Sequence, residues 1–454
     1  MRDLGTIVKA YDIRGVVPGE LDEEVARAVG GAVVDVLDVL DGPGSVVVGH
    51  DMRPSSQPLV GAFADGVTAR GANVVHIGLA STDQLYFASG WLNLPGAMFT
   101  ASHNPAQYNG IKLCRAGAAP VGQDTGLGRI RELAETDAFE RSQARGSEEH
   151  RDVLAEYAEY LRGLVDLSAI RPLTVAVDAA NGMAGHTVPA VLDVPGMRVI
   201  PLYFELDGSF PNHEANPIEP ENLRDLQAAV VGHDADIGLA FDGDADRCFV
   251  VDERGEPVAP STLTALIAVR ELQRAPGSSV VHNLITSRAV PEIVREHGGT
   301  PIRTRVGHSF VKQTMAETNA IFGGEHSGHF YFRDFWRADS GMLAALHALA
   351  ALGHTPKGTT LSSLLTSYER YAASGEINTR VADQAATMAA VQAVFADRPG
   401  VTLDHLDGLT VEHADWWFNL RPSNTEPLIR LNAEATDRPT MESVRDEVIS
   451  LVSA

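Results

Sequence analysis

"SVVVGHDMRPSSQPLVGAFADGVTARGANVVHIG", residues 45 to 78, decides the fold class. It opens on a β-branched apolar run, "SVVVG" (45–49), that suits a buried strand. "PSSQPLVGAFADGVTAR" (54–70) then carries helical spacing, with Pro54 near a helix start, and "NVVHIG" (73–78) returns to strand. Strand, helix and strand in succession is the signature of an α/β layer. The pattern recurs after "RPLTVAVDAANGMAGHTVPAVL" (171–192) and again after "SSVVHNLITSRAVPEIVREHGG" (278–299), so three similar α/β units are expected. The last segment differs. "GLTVEHADWWFNLRPS" (408–423) and "PLIRLNAEA" (427–435) are closely spaced strand candidates, and "TMESVRDEVISLV" (440–452) reads as a terminal helix. Hairpins without crossovers predict a smaller α+β unit.

The expected division is 1–150, 151–254, 255–367 and 368–454, and the charged stretch "FERSQARGSEEHRD" (139–152) reads as a linker or a solvated helix face. A chain of 454 residues is too long for one core. With 44% hydrophobic and 21% charged residues it has an ordinary globular composition. No apolar run reaches the roughly 18 residues of a membrane span, and the N-terminus shows no secretory pattern. Cys114 and Cys248 cannot build a disulfide framework, so two reduced thiols in a cytoplasm are expected, most simply as small buried hydrophobes. Lys plus Arg number 36 against 60 Asp plus Glu, a formal charge of -24, which argues against nucleic acid or an anionic membrane as partner. Any anionic ligand then needs positive charge concentrated in a pocket.

Three times an apolar strand runs into a polar loop and a second short strand: "GAMFTASHNP" (96–105), "IGLAFDGDAD" (237–246) and "AIFGGEHSGH" (320–329). Loops at strand ends are where open α/β sheets place ligand chemistry. In the first, "FTASHNPAQYNGIK" (99–112) sets Ser102 on a turn that is either a packed corner or a displayed nucleophile. In the second, Asp242, Asp244 and Asp246 crowd three carboxylates together, which costs repulsion unless a cation neutralises it; oxygen ligands suit Mg²⁺ or Ca²⁺. An EF-hand loop is the rival, since Glu253 falls at the twelfth position, but Arg247 stands where that loop needs Gly and the flanks read as strands. A solvated acidic turn is the other alternative. In the third, Glu325, Ser327 and His329 lie on a glycine-rich loop that lets a polyhydroxylated ligand approach; metal binding by Glu325, His326 and His329 is the competing reading.

"RPSNTEPLIR" (421–430) offers Arg421, Ser423, Asn424, Thr425 and Arg430, a set that matches a phosphate, or else an ordinary Pro/Asn turn. "RVGHSF" (305–310) puts His308 at a strand-to-helix junction, where Ser309 also suits a helix N-cap. "KAYDIRG" (9–15) says little by itself.

Together these stretches resemble the α-D-phosphohexomutase superfamily, in particular its bacterial phosphomannomutase/phosphoglucomutase branch. The resemblance spans almost the whole chain and rests on four motifs in order: "TASHNP", "DGDADR", "GEHSGH" and "RPSNTEP". It implies four domains around a central cleft. It implies that Ser102 carries a phosphoryl group and that Ser102, Asp242, Asp244 and Asp246 bind Mg²⁺. Arg14, Lys112 and Arg247 are then charges around the transferred group, and Lys112, His308 and His329 candidates for proton transfer. Tyr11, His103, Glu325, Ser327, Arg421, Ser423, Asn424, Thr425 and Arg430 are the implied substrate-binding set. The implied reaction interconverts hexose 1- and 6-phosphates of mannose and/or glucose through a hexose 1,6-bisphosphate, in a monomer or dimer. Phosphoglucosamine mutase, a Mg²⁺-dependent sugar phosphatase and a non-catalytic sugar-phosphate-binding protein are the alternatives.

Overall fold

A computed structural model describes residues 3–136, 139, 142–423 and 428–453. Four sheets follow one another along the chain. The first runs, in spatial order, through Asp12–Val16, Tyr108–Arg115, Gly96–Phe99, Ser45–His50, Asn73–Leu79 and Glu148–His150. Gly96–Phe99, Ser45–His50 and Asn73–Leu79 are mutually parallel, joined by the helices Ser56–Ala69 and Thr82–Leu92, as the opening stretch predicts. The charged segment before residue 152 is not simply a linker: Glu148–His150 pairs in parallel with Val74–His76 and extends the sheet.

The second sheet centres on Leu173–Asp178 and Ile237–Phe241, the third on Ser279–Asn283 and Phe322–Gly324. Each of the three sheets repeats one device. A buried strand in parallel register runs outward, a polar loop reverses it, and the chain returns antiparallel, through Phe99↔Ile111, Phe241↔Cys248 and Gly324↔Phe330. The three echoed stretches of sequence are these three reversals. All three sheets are thus mixed, whereas the fourth, Ala372–Arg380 with Leu428–Ala435, Trp416–Pro422, Leu409–Glu412 and Thr402–Asp404, is antiparallel throughout.

Apolar packing divides the molecule differently. One continuous core joins Leu85 and Phe87 of the first unit, Tyr157 and Val188 of the second, and Phe322 and Leu346 of the third. The first unit has a further core behind its sheet, around Val29, Phe63 and Ile130. The last unit keeps a core to itself, around Phe395, Phe418 and Val448. Polar pins reinforce the shared core. Asp83, fully buried, accepts from Ser81 Oγ at 2.5 Å, from Tyr157 Oη at 2.7 Å and from Ser340 Oγ at 2.6 Å, so one carboxylate joins three units. Burial raises its pKa to about 6. Cys114 and Cys248 are both buried and unpaired, as small hydrophobes would be. No helix among the described residues is long and apolar enough to cross a membrane.

Candidate active site

The serine loop is held from behind. Arg53, buried, ion-pairs with Asp51 (Nε to Oδ2, 3.1 Å) and turns its guanidinium onto four carbonyls of the loop. Nη1 donates to Pro105 O at 2.8 Å and Tyr108 O at 3.0 Å; Nη2 donates to Ser102 O at 2.9 Å and Asn104 O at 2.6 Å. This fork fixes Ser102 at a left-handed φ of 50°, which costs a non-glycine residue energy and persists only where surroundings enforce it. Sequence reasoning did not single out Arg53. The signal available was an arginine just past the end of a buried strand, in "HDMRPS" (50–55).

Ser102 Oγ donates to Asp242 Oδ2 at 2.7 Å and lies 3.2 Å from His103 Nδ1. The two loops touch so closely that a Cβ on Gly243 would lie 2.4 Å from Ser102 O. Asp242, Asp244 and Asp246 are all buried, with ligand-capable oxygens within 4.8 Å of one another. The strands Ile237–Phe241 and Cys248–Val251 flank them, so the loop has none of the helices of an EF-hand.

Lys112 Nζ bridges Asp244 Oδ2 at 2.7 Å and Asp246 Oδ2 at 2.6 Å. Thr82 Oγ1 donates to Asp244 Oδ2 at 2.6 Å, and Arg247 Nε to Asp242 Oδ2 at 2.9 Å. Asp244 Oδ1 and Asp246 Oδ1 are buried without any hydrogen-bond partner. Buried carboxylate oxygens left unpaired are costly, and three carboxylates this close fit a hard divalent cation. Burial and the neighbouring Asp244 push the Asp246 carboxyl well above the usual range. Burial acts on Asp244 as well, but Lys112 outweighs it and holds that carboxyl low.

His329 stands on the far side. Its Nε2 lies 3.6 Å from Asp246 Oδ1 and 3.9 Å from Asp339 Oδ2, while its Nδ1 is 3.1 Å from Ser327 Oγ. Asp339 is itself paired with the buried Lys312 at 2.7 Å. Burial lowers the pKa of His329, and lowers those of His103 and His308 well below the ordinary value, so these imidazoles are neutral near pH 7. His308 opens the helix His308–Thr318 directly, capped by Gly307 and not by Ser309, and packs edge-on against Tyr11 with ring centres 4.4 Å apart. Arg14 donates to Asn104 Oδ1 at 2.6 Å and to Asp12 Oδ2 at 2.5 Å, which ties the N-terminal strand to the serine loop.

Glu325 faces inward. It accepts from Tyr331 Oη at 2.6 Å, Gly307 N at 3.1 Å and Asn283 Nδ2 at 3.3 Å, using about three of the four acceptor positions a carboxylate offers. In the last unit Arg421 and Arg430 stand directly opposite on paired strands, and both reach Glu376, at 3.2 and 3.4 Å. Their Nε atoms are buried and unpartnered. Ser423 sits beside them, buried. Asn424 and Thr425 lie outside the described residues. The structure therefore gathers Ser102, His103, Arg14, Lys112, the three aspartates, Arg247 and His329 into one cluster, with Tyr11 and His308 as a second group. The Arg421–Arg430 pair forms a separate basic site on the last unit.

Family models match in the same order as the sheets. They are those for phosphoglucomutase/phosphomannomutase α/β/α domain I over residues 5–141, domain II over 155–255, domain III over 260–371 and the C-terminal domain over 376–451. The chain belongs to the phosphoglucomutase/phosphomannomutase family. It is 40% identical to a phosphomannomutase of Salmonella montevideo over 99% of both chains. It is 41% identical to the phosphohexose mutases of Xanthomonas campestris pv. campestris, over 97% of this chain and 98% of that one. A phosphoglucomutase/phosphomannomutase family protein from Burkholderia thailandensis superposes with a TM-score of 0.89 at 34% identity, covering 98% of this chain and 97% of that one. In this family member, Arg53, Thr82, Lys312 and Asp339 are the site neighbours that the motifs alone left unnamed.

Proposed function

We propose that the chain is a phosphohexomutase, an intramolecular phosphotransferase that interconverts the 1- and 6-phosphates of mannose and/or glucose, with Ser102 as its phosphoryl carrier. One observation carries the reading: Ser102 Oγ is 2.7 Å from Asp242 in a buried carboxylate set that leaves two oxygens unpaired. Asp242, Asp244, Asp246 and Ser102 would hold Mg²⁺, which when bound neutralises charge on the transferring phosphoryl group.

Phospho-Ser102 gives its group to the free hydroxyl of a hexose phosphate. The serine P–O bond breaks, a sugar P–O bond forms, the sugar hydroxyl gives up its proton, and the departing Ser102 oxygen takes one up to become a hydroxyl again. His329 is the best-suited acceptor because it is neutral and adjacent to Asp246. Lys112 is better suited to electrostatic support, since Asp244 and Asp246 outweigh burial and keep its ammonium charged. The 1,6-bisphosphate then turns over and returns its other phosphate to Ser102. Such a turnover needs one distal anion site serving either end of the sugar; Arg421, Ser423 and Arg430, with Asn424 and Thr425, are the residues proposed for it. Glu325, Ser327, Tyr11, His103 and His308 would line the sugar, with Arg14 and Arg247 beside the reacting phosphate.

The unit boundaries 1–150, 151–254, 255–367 and 368–454 belong to the same proposal, supported by four successive sheets, although Pro257–Val258, just past the second boundary, still pairs with Val250–Val251 of the second sheet. So do a cytoplasmic location, supported by two unpaired thiols, and a monomer or dimer. Phosphorus NMR tests the reading, using the protein with Mg²⁺, a trace of glucose 1,6-bisphosphate and, in turn, mannose, glucose and glucosamine 1-phosphates. Conversion to a 6-phosphate is expected, fastest for mannose or glucose. Fastest turnover of the glucosamine ester would make it a phosphoglucosamine mutase. Inorganic phosphate alone would make it a phosphatase, and no change a binding protein.

A further inference from the structure

A second cavity lies away from the catalytic cluster, between the second and third units. Its volume is about 850 Å³, and the ends of three helices wall it: Leu154–Leu164, Pro260–Arg274 and Gly341–Gly353. Arg162, Arg270, Arg274, His347 and His354 line it, against Asp166 and Asp193. In a chain of charge -24 that is an unusual concentration of basic groups.

Most of these groups are already engaged. Arg162 Nη1 donates to Ala190 O at 2.5 Å, Arg274 Nη1 to Glu271 Oε1 at 2.7 Å, and His354 Nε2 lies 3.0 Å from Ser168 O. Asp166 accepts from Ser168 N at 2.8 Å and Ser168 Oγ at 2.6 Å. Arg270 is the exception. Among the described residues its guanidinium makes no hydrogen bond and no close ion pair: Glu271 and Asp166 act on it only at longer range, and its Nε is buried without a partner. His347 is the second exception. It is 2% exposed, its ring stacks on Phe332 at 5.3 Å, and its Nδ1 is buried and unpartnered.

The chemistry of the missing partner follows. A half-buried guanidinium on a cavity wall, with no close partner of its own, suits a carboxylate or a phosphate. His347 Nε2 is 3.5 Å from Glu271 Oε1, which favours the ring proton on that nitrogen and leaves Nδ1 as an acceptor. Burial, with Arg270 and Arg274 nearby, keeps the imidazole neutral. An acceptor wants a hydroxyl donor, and the open carbonyls at helix C-termini accept hydroxyls too.

We propose that this cavity binds a small hydroxylated anion, a hydroxycarboxylate or a phosphate monoester, with its acid group on Arg270 and a hydroxyl on His347 Nδ1. The position gives it a line to the candidate active site. Pro260–Arg274 carries Arg270 near one end and, at the other, Ser261, whose Oγ is 3.5 Å from His326 Nδ1 in the sugar loop. At 1.5 Å per residue Ser261 and Arg270 are about 14 Å apart along the helix.

Isothermal titration tests the site with D-glycerate and glycerol 3-phosphate, and with neutral glycerol as control. Wild-type protein and Arg421→Ala should bind at least one of the anions alike, and Arg270→Gln should bind it about tenfold more weakly, the scale of one charge-assisted contact. The better-bound anion identifies the acid group. His347→Phe, which keeps the stack on Phe332, should weaken glycerate but leave acetate binding unchanged. Unliganded melting temperatures of the variants establish that each is folded. Anion binding lost in Arg421→Ala but kept in Arg270→Gln would belong to the catalytic cleft and overturn the proposal. Equal affinity in all variants, or no binding of either anion at millimolar concentration, would overturn it as well.

Discussion

Arg247 and His329 face each other across an antiparallel bridge that joins the second sheet to the third. Cys248 N donates to Gly328 O at 3.3 Å beside it. A Cβ on Gly341, in the third unit, would lie 2.7 Å from the backbone of Arg247. The aspartate loop and the loop bearing Glu325, Ser327 and His329 are therefore one rigid piece. The distance from the proposed proton acceptor to the carboxylates is set by main chain, which suits a group that must be positioned before the reaction begins.

Removing the Ser102 hydroxyl should leave this frame intact. Ser102→Ala is expected to lower kcat by about 10⁴-fold or more, the scale of losing a nucleophile, with an unchanged melting curve. Phosphorus NMR turnover comparable to wild type would sink the assignment.

Arg53→Ala should cost stability and activity together. It strands Asp51 in the interior and frees four carbonyls, a loss of about 3–5 kcal/mol for a broken buried pair. Urea denaturation reads the stability. Arg53→Lys should recover part of the stability and little of the rate, because an ammonium cannot fork across four acceptors. Wild-type rate in the lysine variant would remove the loop-ordering role.

Arg421→Ala should act mainly on KM, raising it by about tenfold or more, because its guanidinium is proposed to hold the phosphate that is not reacting. Steady-state kinetics separates the cases, and a fall in kcat at unchanged KM would place Arg421 at the chemistry instead.

Asp244→Asn should weaken the response of the rate to added Mg²⁺, shifting the midpoint of the metal titration upward. An identical titration in the variant would dissociate the aspartate loop from the metal.

Asp83 sets a pH dependence of its own. A carboxyl raised to about 6 contributes stability below the unfolded value near 4 and loses it as pH climbs through about 6. The full loss is about 3 kcal/mol. Asp83→Asn should abolish this component, so that the stability difference between variant and wild type changes across pH 4 to 7. A constant difference over that range would show that Asp83 does not titrate there.

The sequence was most legible where chemistry is local. Three carboxylates at alternate positions, or a serine before a Pro and an Asn-Gly turn, announce themselves within a few residues. The strand–helix–strand pattern likewise needs only neighbours. Arg53, Thr82, Asp339 and Lys312 escaped because their partners are distant in sequence: Thr82 meets Asp244 only after the first two units pack, and Arg53 meets Asn104 only once two strands of the first sheet pair. Glu148–His150 escaped because an exposed, charged edge strand has the composition of a linker. Gly307 capping a helix in place of Ser309 escaped because the serine two residues on is the better cap by type.

The last unit keeps its apolar core to itself and meets the third through polar contacts. Arg288 donates to His413 O at 2.7 Å, Arg303 to Asp404 at 2.7 Å, and Val306 N to Asp407 Oδ2 at 3.1 Å. Such seams part before cores do. Warming should therefore dismantle the protein in two stages, and a calorimeter should record two endotherms. Between them the molecule would keep its serine, its aspartates and its histidines while losing the proposed distal phosphate site. Heat would then act first as a competitor for substrate and only later as a poison of catalysis.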